Sequence, residues 1–328
     1  MKHFKNLTVL LSFVSLSISA CATSSTQESN PTGTIIEYKS GPEGFDTRTF
    51  FYVGKNEVVA IDSQFTPELA KKSIAHLRQF TDKPIKALII THPNPDKFNG
   101  ASVFKKEGAQ IIGSKATADA MAGVNAYKKY YFVHMAKMFS EESYPSLTPI
   151  DETFEDSLTL NLKGDQVIRL VETNQPAISS NQTVVYIEGA GALFVGDMIH
   201  HKAHAWLEGG IVNGQPQPTV SKWVESLKFL KSEFPTTTVV YGGRGLTANL
   251  KEAAEAQIEY LQQSEEIIRD YIKELGSRKS ELLGKDSSEH YKVLGQRFSR
   301  TFPEYSLSYM IEYGAYGLVN YELSQLRE

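Results

Sequence analysis

The sequence predicts an α/β fold in which two β-sheets pack face to face with helices on both outer sides, a four-layer αββα sandwich. Three observations lead there. The chain has two strand-rich stretches, each followed by helical pattern, and such segments settle as packed layers around a core. The run "IKALII" (85–90) is apolar but for Lys86, as suits a strand covered on both faces. No linker-like stretch interrupts the chain after residue 33.

The N-terminus reads as a targeting segment. Lys2 and Lys5 precede "LTVLLSFVSLSI", an apolar stretch of about a dozen residues, short for a bilayer span. "SISAC" then sets small residues before Cys21, the layout of a secretory signal. These residues resemble a bacterial lipoprotein signal, with Ile18 where leucine is usual. The resemblance implies removal of residues 1–20 and a lipid (thioether-linked, with palmitate-type acyl chains) on Cys21. The bland alternative is plain secretion with Cys21 incidental. Residues 21–33 are small and polar and read as a flexible tether. Ala22 is not aspartate, which in Gram-negative lipoproteins implies the outer membrane, facing the periplasm. The expected partner there is the membrane itself. Cys21 is the only cysteine, so no intrachain disulfide and no Cys-rich zinc site can form. With 34 Lys and Arg against 38 Asp and Glu, no basic surface points to nucleic acid.

Along the chain, "TIIEYKS" reads as a strand and "TRTFFYVGKNEVVAIDS" as a hairpin turning near Gly54-Lys55-Asn56. Pro67 opens a helix to about Phe80. After "IKALIITH" come a helix stopped at Gly108, the strand "AQIIGS" and a helical stretch over 115–140. "LTLNLKGDQVIRLVET" and "QTVVYIEGAGALFVGD" read as paired strands, "VSKWVESLKFLKSEF" as a helix and "TTTVVYGG" as a strand. The rest is helical. The expected organisation is a core domain over 34–250 and a helical extension over 251–328 packed on it.

Four separated pieces fall at strand ends: Asp62 in "VVAIDS", His92 and Asp96 in "THPNPDKFNG", Asp197 in "LFVGD" and Arg244 in "VVYGGRG". In this order and spacing the chain resembles the metallo-β-lactamase fold superfamily over about residues 33–250. "GDMIHHKAHAWLEGG" also resembles one hydrolase branch of it. The resemblance implies a metal-binding pocket at the strand ends, with a His-x-His-x-Asp-His loop, a later histidine, the Gly-Asp aspartate and a Gly-His-Gly turn. Such sites use imidazole and carboxylate to hold zinc and activate water.

Against that pattern the loop offers His92, Asn94, Asp96 and Lys97. Ile178 falls where the later histidine is expected, and no histidine lies between His134 and His200. Asp197 is present, and Arg244 occupies the last turn. His92, Asp96 and Asp197 are thus the residual ligands by type. Lys97 and Arg244 would neutralise Asp96 and Asp197 without metal, since buried carboxylates need a cation. The expectation is no resident cofactor, with zinc possible only if the residual site is active.

His200, His201 and His204 read as loop histidines at a pocket mouth, His204 being the best placed for a pocket role. "NAYKKYYFVHMAKMF" (125–139) fits either a lid or core packing. No GxSxG elbow, P-loop or HExxH occurs. Three functions stay open: a pseudoenzyme or small-ligand-binding lipoprotein, whose ligand could be anionic if the carboxylates leave the cations unneutralised; a hydrolase of esters, thioesters or lactams; and a scaffold. The hydrolase could hold one metal on His92, Asp96 and Asp197. It could instead work without metal, Asp96 or His204 as base and Lys97 or Arg244 stabilising an oxyanion.

Overall fold

The computed structural model describes residues 33–326 except residue 286. The expected signal segment 1–20, Cys21 and nearly all of the tether lie outside the described residues.

The first sheet is built from β1 (Thr34–Lys39), β2 (Arg48–Val53), β3 (Val58–Ile61), β4 (Ile85–Ile89), β5 (Gln110–Ser114) and β6 (Glu152–Phe154), in that spatial order. β1 to β3 are antiparallel neighbours, while β3 to β6 run parallel. Parallel neighbours need crossovers. These are α1 (Pro67–Leu77), then α2 (Pro95–Phe98) with α3 (Ala101–Lys106), then α4 (Lys115–Tyr130) with a π turn over Tyr131–Met135. Thr66 caps α1 by accepting from the Leu69 amide, and Ser114 caps α4 by accepting from that of Thr117. α1 buries Leu69, Ala70, Ser73, Ile74 and Leu77, a helical stripe facing the sheet. It ends before Phe80, which is 61 % exposed and whose ring meets only the edge of His76 among the described aromatic contacts.

The second sheet contains β7 (Ser157–Leu162), β8 (Gln166–Glu172), β9 (Thr183–Ile187) and β10 (Ala192–Phe194) as an antiparallel meander. After β11 (His200–His201), β12 (Gly210–Val212), β13 (Gln215–Gln217) and α5 (Val220–Glu233), β14 (Val239–Tyr241) returns beside β10 in parallel. β15 (Arg244–Gly245) pairs with β11, placing Arg244 opposite His200. α6 (Leu250–Leu275), α7 (Ser287–Thr301), α8 (Tyr309–Gly314) and α9 (Tyr316–Gln325) complete the chain.

Strand periodicity of two explains the layers. Phe50, Tyr52, Val59, Ile61, Ala87 and Ile89 point toward the second sheet and meet Leu160, Ile168, Val185 and Phe194. Their neighbours Phe51, Val58, Ala60 and Leu88 face outward onto Ala70, Ile74, Leu77 and Phe104. Val184, Tyr186, Leu193 and Val240 face the other way, onto α5 and the C-terminal helices. The expected four layers are therefore present, with the C-terminal helices forming much of the outermost one.

Candidate functional site

The site residues collect where the strands of both sheets end. Beyond β4 the chain passes through Thr91 and His92 into α2, whose four residues carry Asp96 and Lys97. Beyond β10 a tight turn over Gly196–Met198 presents Asp197. Gly196 has φ +51°, and a Cβ there would press on the Thr91 hydroxyl. Beyond β14, Gly242-Gly243 lead into Arg244. A Cβ on Gly243 would collide with Asp197 Oδ1, so only glycine lets the two turns close on each other.

Two aspartates and two cations form one buried network. Lys97 Nζ lies 2.9 Å from Asp96 Oδ2 and 2.8 Å from Asp197 Oδ1. Arg244 Nη1 donates to Asp197 Oδ2 at 2.6 Å; Nη2 donates to Asp96 Oδ2 at 2.9 Å and to Thr47 Oγ1 at 2.7 Å. Its Nε donates to the Phe45 carbonyl at 2.6 Å. Thr47 Oγ1 in turn donates to Asp96 Oδ2 at 2.8 Å. Lys97 is fully buried and Arg244 is 3 % exposed. Arg244 therefore ties together the 45–47 loop, the α2 loop and the Asp197 turn. Phe45 and Asp46 both sit at positive φ, 57° and 52°, a backbone state costly for non-glycine residues; the guanidinium holds this loop by the Phe45 carbonyl.

Burial alone would raise the Asp197 carboxyl; Arg244 and Lys97 overcome it and hold it well below the usual range. The same balance holds Asp96 down, with Lys97 and Arg244 opposing burial. Burial would lower Lys97 and Arg244, yet the paired aspartates raise both. All four are charged at neutral pH. Asp62 differs: burial pushes it up to about 7. Its carboxylate accepts from the Thr91 amide at 3.0 Å and the Thr91 hydroxyl at 2.9 Å.

Thr91 Oγ1 also lies 3.0 Å from His92 Nδ1, and His92 Nε2 points toward Asp197 Oδ2 at 3.8 Å. Burial lowers His92 to about 4, so the ring is neutral. His200 Nε2 approaches Asp197 Oδ1 at 3.5 Å, with Nδ1 facing the His204 carbonyl at 3.2 Å.

The three histidines after Asp197 do not form a pocket mouth. His200, His201 and His204 are 0 %, 6 % and 0 % exposed. The pairing of β11 with β15 draws the first two inward. His204 faces away from the cavity into an aromatic box of Tyr260, Phe298, Phe302 and Tyr305, with Nδ1 3.3 Å from the Tyr260 hydroxyl. The pocket role expected of His204 is thus corrected, because the C-terminal helices close over it. Ile178, 2 % exposed, packs in the apolar layer outside the second sheet.

A cavity of about 40 Å³ opens above the ion network. Asn94, Asp96, Asp197 and Arg244 form its floor, and Phe45, Phe65, Phe132, Trp206 and Met310 its walls. Lys128 enters from α4, bonded to buried Glu208, which also accepts from Trp206 Nε1 at 3.0 Å. Within the aromatic 125–139 stretch, Lys128 and Phe132 turn to the cavity, whereas Tyr130, Met135 and Met138 are exposed. Sequence reasoning missed Thr47, Phe45, Lys128, Trp206 and Glu208. No local motif marks them; they reach the site through contacts distant along the chain.

The sequence model of the metallo-beta-lactamase superfamily matches residues 43–244. With two sheets layered between helices and the site at their strand ends, the chain belongs to this superfamily. Among solved structures it is similar to a metallo-beta-lactamase from Pontibacter korlensis, at 17 % identity and TM-score 0.53, covering 70 % of this chain and 94 % of that one. A second, from Erythrobacter litoralis, matches at 14 % identity and TM-score 0.51 over 70 % and 92 % of the two chains. At such identities the likeness concerns the fold. Among curated proteins, a linear primary-alkylsulfatase from Pseudomonas sp. is 36 % identical over 50 residues, 15 % of this chain and 10 % of that protein.

Proposed function

We propose that this chain is a small-ligand-binding member of the superfamily, a pseudoenzyme in which an ion-pair network stands where relatives hold zinc. One observation carries the reading: Lys97 Nζ lies within 2.9 Å of both aspartates that would otherwise share a metal. The residues present do not fit zinc, which takes donors at about 2.0–2.2 Å. The space between Asp96 and Asp197 holds an ammonium, Arg244 Nη1 covers the remaining Asp197 oxygen at 2.6 Å, and Asn94 supplies an amide, a weaker donor than imidazole. A divalent ion there would face two fixed positive charges. At ~4 Å and an effective dielectric near 20, each unit-charge repulsion is about 4 kcal/mol, and a dication roughly doubles it.

A second reading, hydrolysis at a rebuilt metal-free site, is favoured by one feature: Asp96 lines the cavity beside Arg244, a base next to a cation. A screen of ester, thioester, lactam and sulfate-ester substrates separates the two. The binding reading expects no turnover above buffer. Turnover that Asp96→Asn or Asp197→Ala abolishes supports the hydrolase instead. In a converse experiment, Asn94→His, Lys97→His and Arg244→His are combined, leaving out Ile178, which packs away from the site; a folded variant is expected to gain zinc. Failure to gain it counts against this placement of the ligand positions.

The reading includes a lipid tether at Cys21 that holds the protein at the outer membrane, facing the periplasm. It rests on the sequence of the N-terminal segment: Lys2 and Lys5, the apolar stretch, "SISAC" and Ala22. Labelled palmitate should enter the wild type and not Cys21→Ser, which should fractionate as soluble; an unlabelled wild type leaves plain secretion.

A further inference from the structure

We propose that the cavity receives the primary ammonium group of a small amine with a slim apolar body. The proposal deepens the ligand-binding reading above and rests on it. The floor cations are not free to meet an anion. Arg244 gives its hydrogen bonds to Phe45, Thr47, Asp96 and Asp197. Lys97 has no exposed surface, and Lys128 is bonded to Glu208.

The unused groups are acceptors. Asp96 Oδ2 takes Thr47, Lys97 and Arg244, whereas Asp96 Oδ1 has no donor among the described residues. Asp96 is 8 % exposed and lines the cavity, so a ligand there can reach a carboxylate that keeps one oxygen without a donor among the described residues. Asn94 lines the same floor, and its side chain makes no hydrogen bond among the described residues. Its amide oxygen is a second acceptor. A bound ammonium supplies three donors to such a floor. The rings of Phe45, Phe65, Phe132 and Trp206 around it attract a cation by their quadrupoles. A carboxylate in that place would instead face an ionised carboxylate. The volume, about 40 Å³, suits a head group rather than a drug-sized ligand.

The test compares 2-phenylethylamine, 2-phenylethanol and phenylacetate at pH 7 by calorimetry, with Trp206 fluorescence as a second readout. The amine is expected to bind at least tenfold tighter than either analogue. Asn94→Lys, which adds a positive charge to the floor outside the ion network, should abolish amine binding with an unchanged thermal melt. Phenylacetate or the alcohol binding as tightly as the amine, or amine binding that survives Asn94→Lys, overturns the amine assignment and leaves the ligand-binding reading standing. Absence of binding by all three at millimolar concentration overturns the assignment and counts against the ligand-binding reading as well.

Discussion

At the scale of single residues, Arg244 carries the most. Its guanidinium plane matches two carboxylates, a hydroxyl and a carbonyl at once, which a lysine ammonium cannot do. Arg244→Met should therefore leave Asp96 and Asp197 short of charge and lower the unfolding free energy by about 3–5 kcal/mol, read from urea denaturation. Arg244→Lys should fall between, since it loses the Phe45 and Thr47 contacts. Buried titratable groups set the pH response. Burial lowers His92 and His204 to about 4, against about 6.5 in an unfolded chain. Below pH 6.5 the unfolded state takes up protons that the folded state refuses, so this contribution falls as pH drops toward 4. Asp62 acts with the opposite sign. Burial raises it to about 7, so its contribution is fullest below about pH 4 and is lost as pH rises through 7. Asp62→Asn should accordingly steepen the loss of stability between pH 6.5 and 4.5; equal slopes for variant and wild type would contradict this. His92, Asp96 and Asp197 were legible in the sequence because short motifs place them at strand ends. Thr47 and Glu208 were not: Thr47 meets Asp96 across 49 positions and Glu208 meets Lys128 across 80.

At the scale of elements, tight turns decide how closely the strand ends approach. Gly243→Ala should push Asp197 off Lys97 and cost about 2 kcal/mol or more, in the range for breaking a buried network. Gly123 is the contrasting case. It is exposed in the middle of α4 with nothing near its Cβ position. Gly123→Ala should stabilise by about 0.5–1 kcal/mol through helix propensity. Thermal melts of the two variants should move in opposite directions. The main strands and helices were readable from periodicity. Three-residue β6 was too short for any alternation to show. The hairpin of β12 and β13 did carry a signal, since Asn213 and Gly214 both take positive φ, 51° and 71°, as a two-residue Asn-Gly turn requires; its short strands hid it. His204 was misread because its surroundings come from α6 and the Phe298–Tyr305 segment, distant in sequence.

At the scale of the whole molecule, the C-terminal helices are part of the fold's outer layer. Tyr260, Leu261, Ile268, Leu294, Phe298, Leu318 and Val319 are all buried against the second sheet's side. Truncation after residue 249 should therefore give insoluble chain, checked by expression and sedimentation; a soluble, cooperatively melting product would contradict it. The layered fold was legible because apolar strands between amphipathic helices leave few ways to bury both faces. The ion network was foreseeable only as charge balance. Its geometry needed both sheets in place, since Asp96 and Arg244 are joined across 148 positions.

The most direct measurement is the metal content of protein purified without chelator, followed by its thermal melt before and after EDTA. With Lys97 and Arg244 between Asp96 and Asp197, zinc should be far below one per chain and the melt unmoved. One or more tightly held zinc or iron ions per chain, with a melting temperature that drops on chelation, would contradict the account.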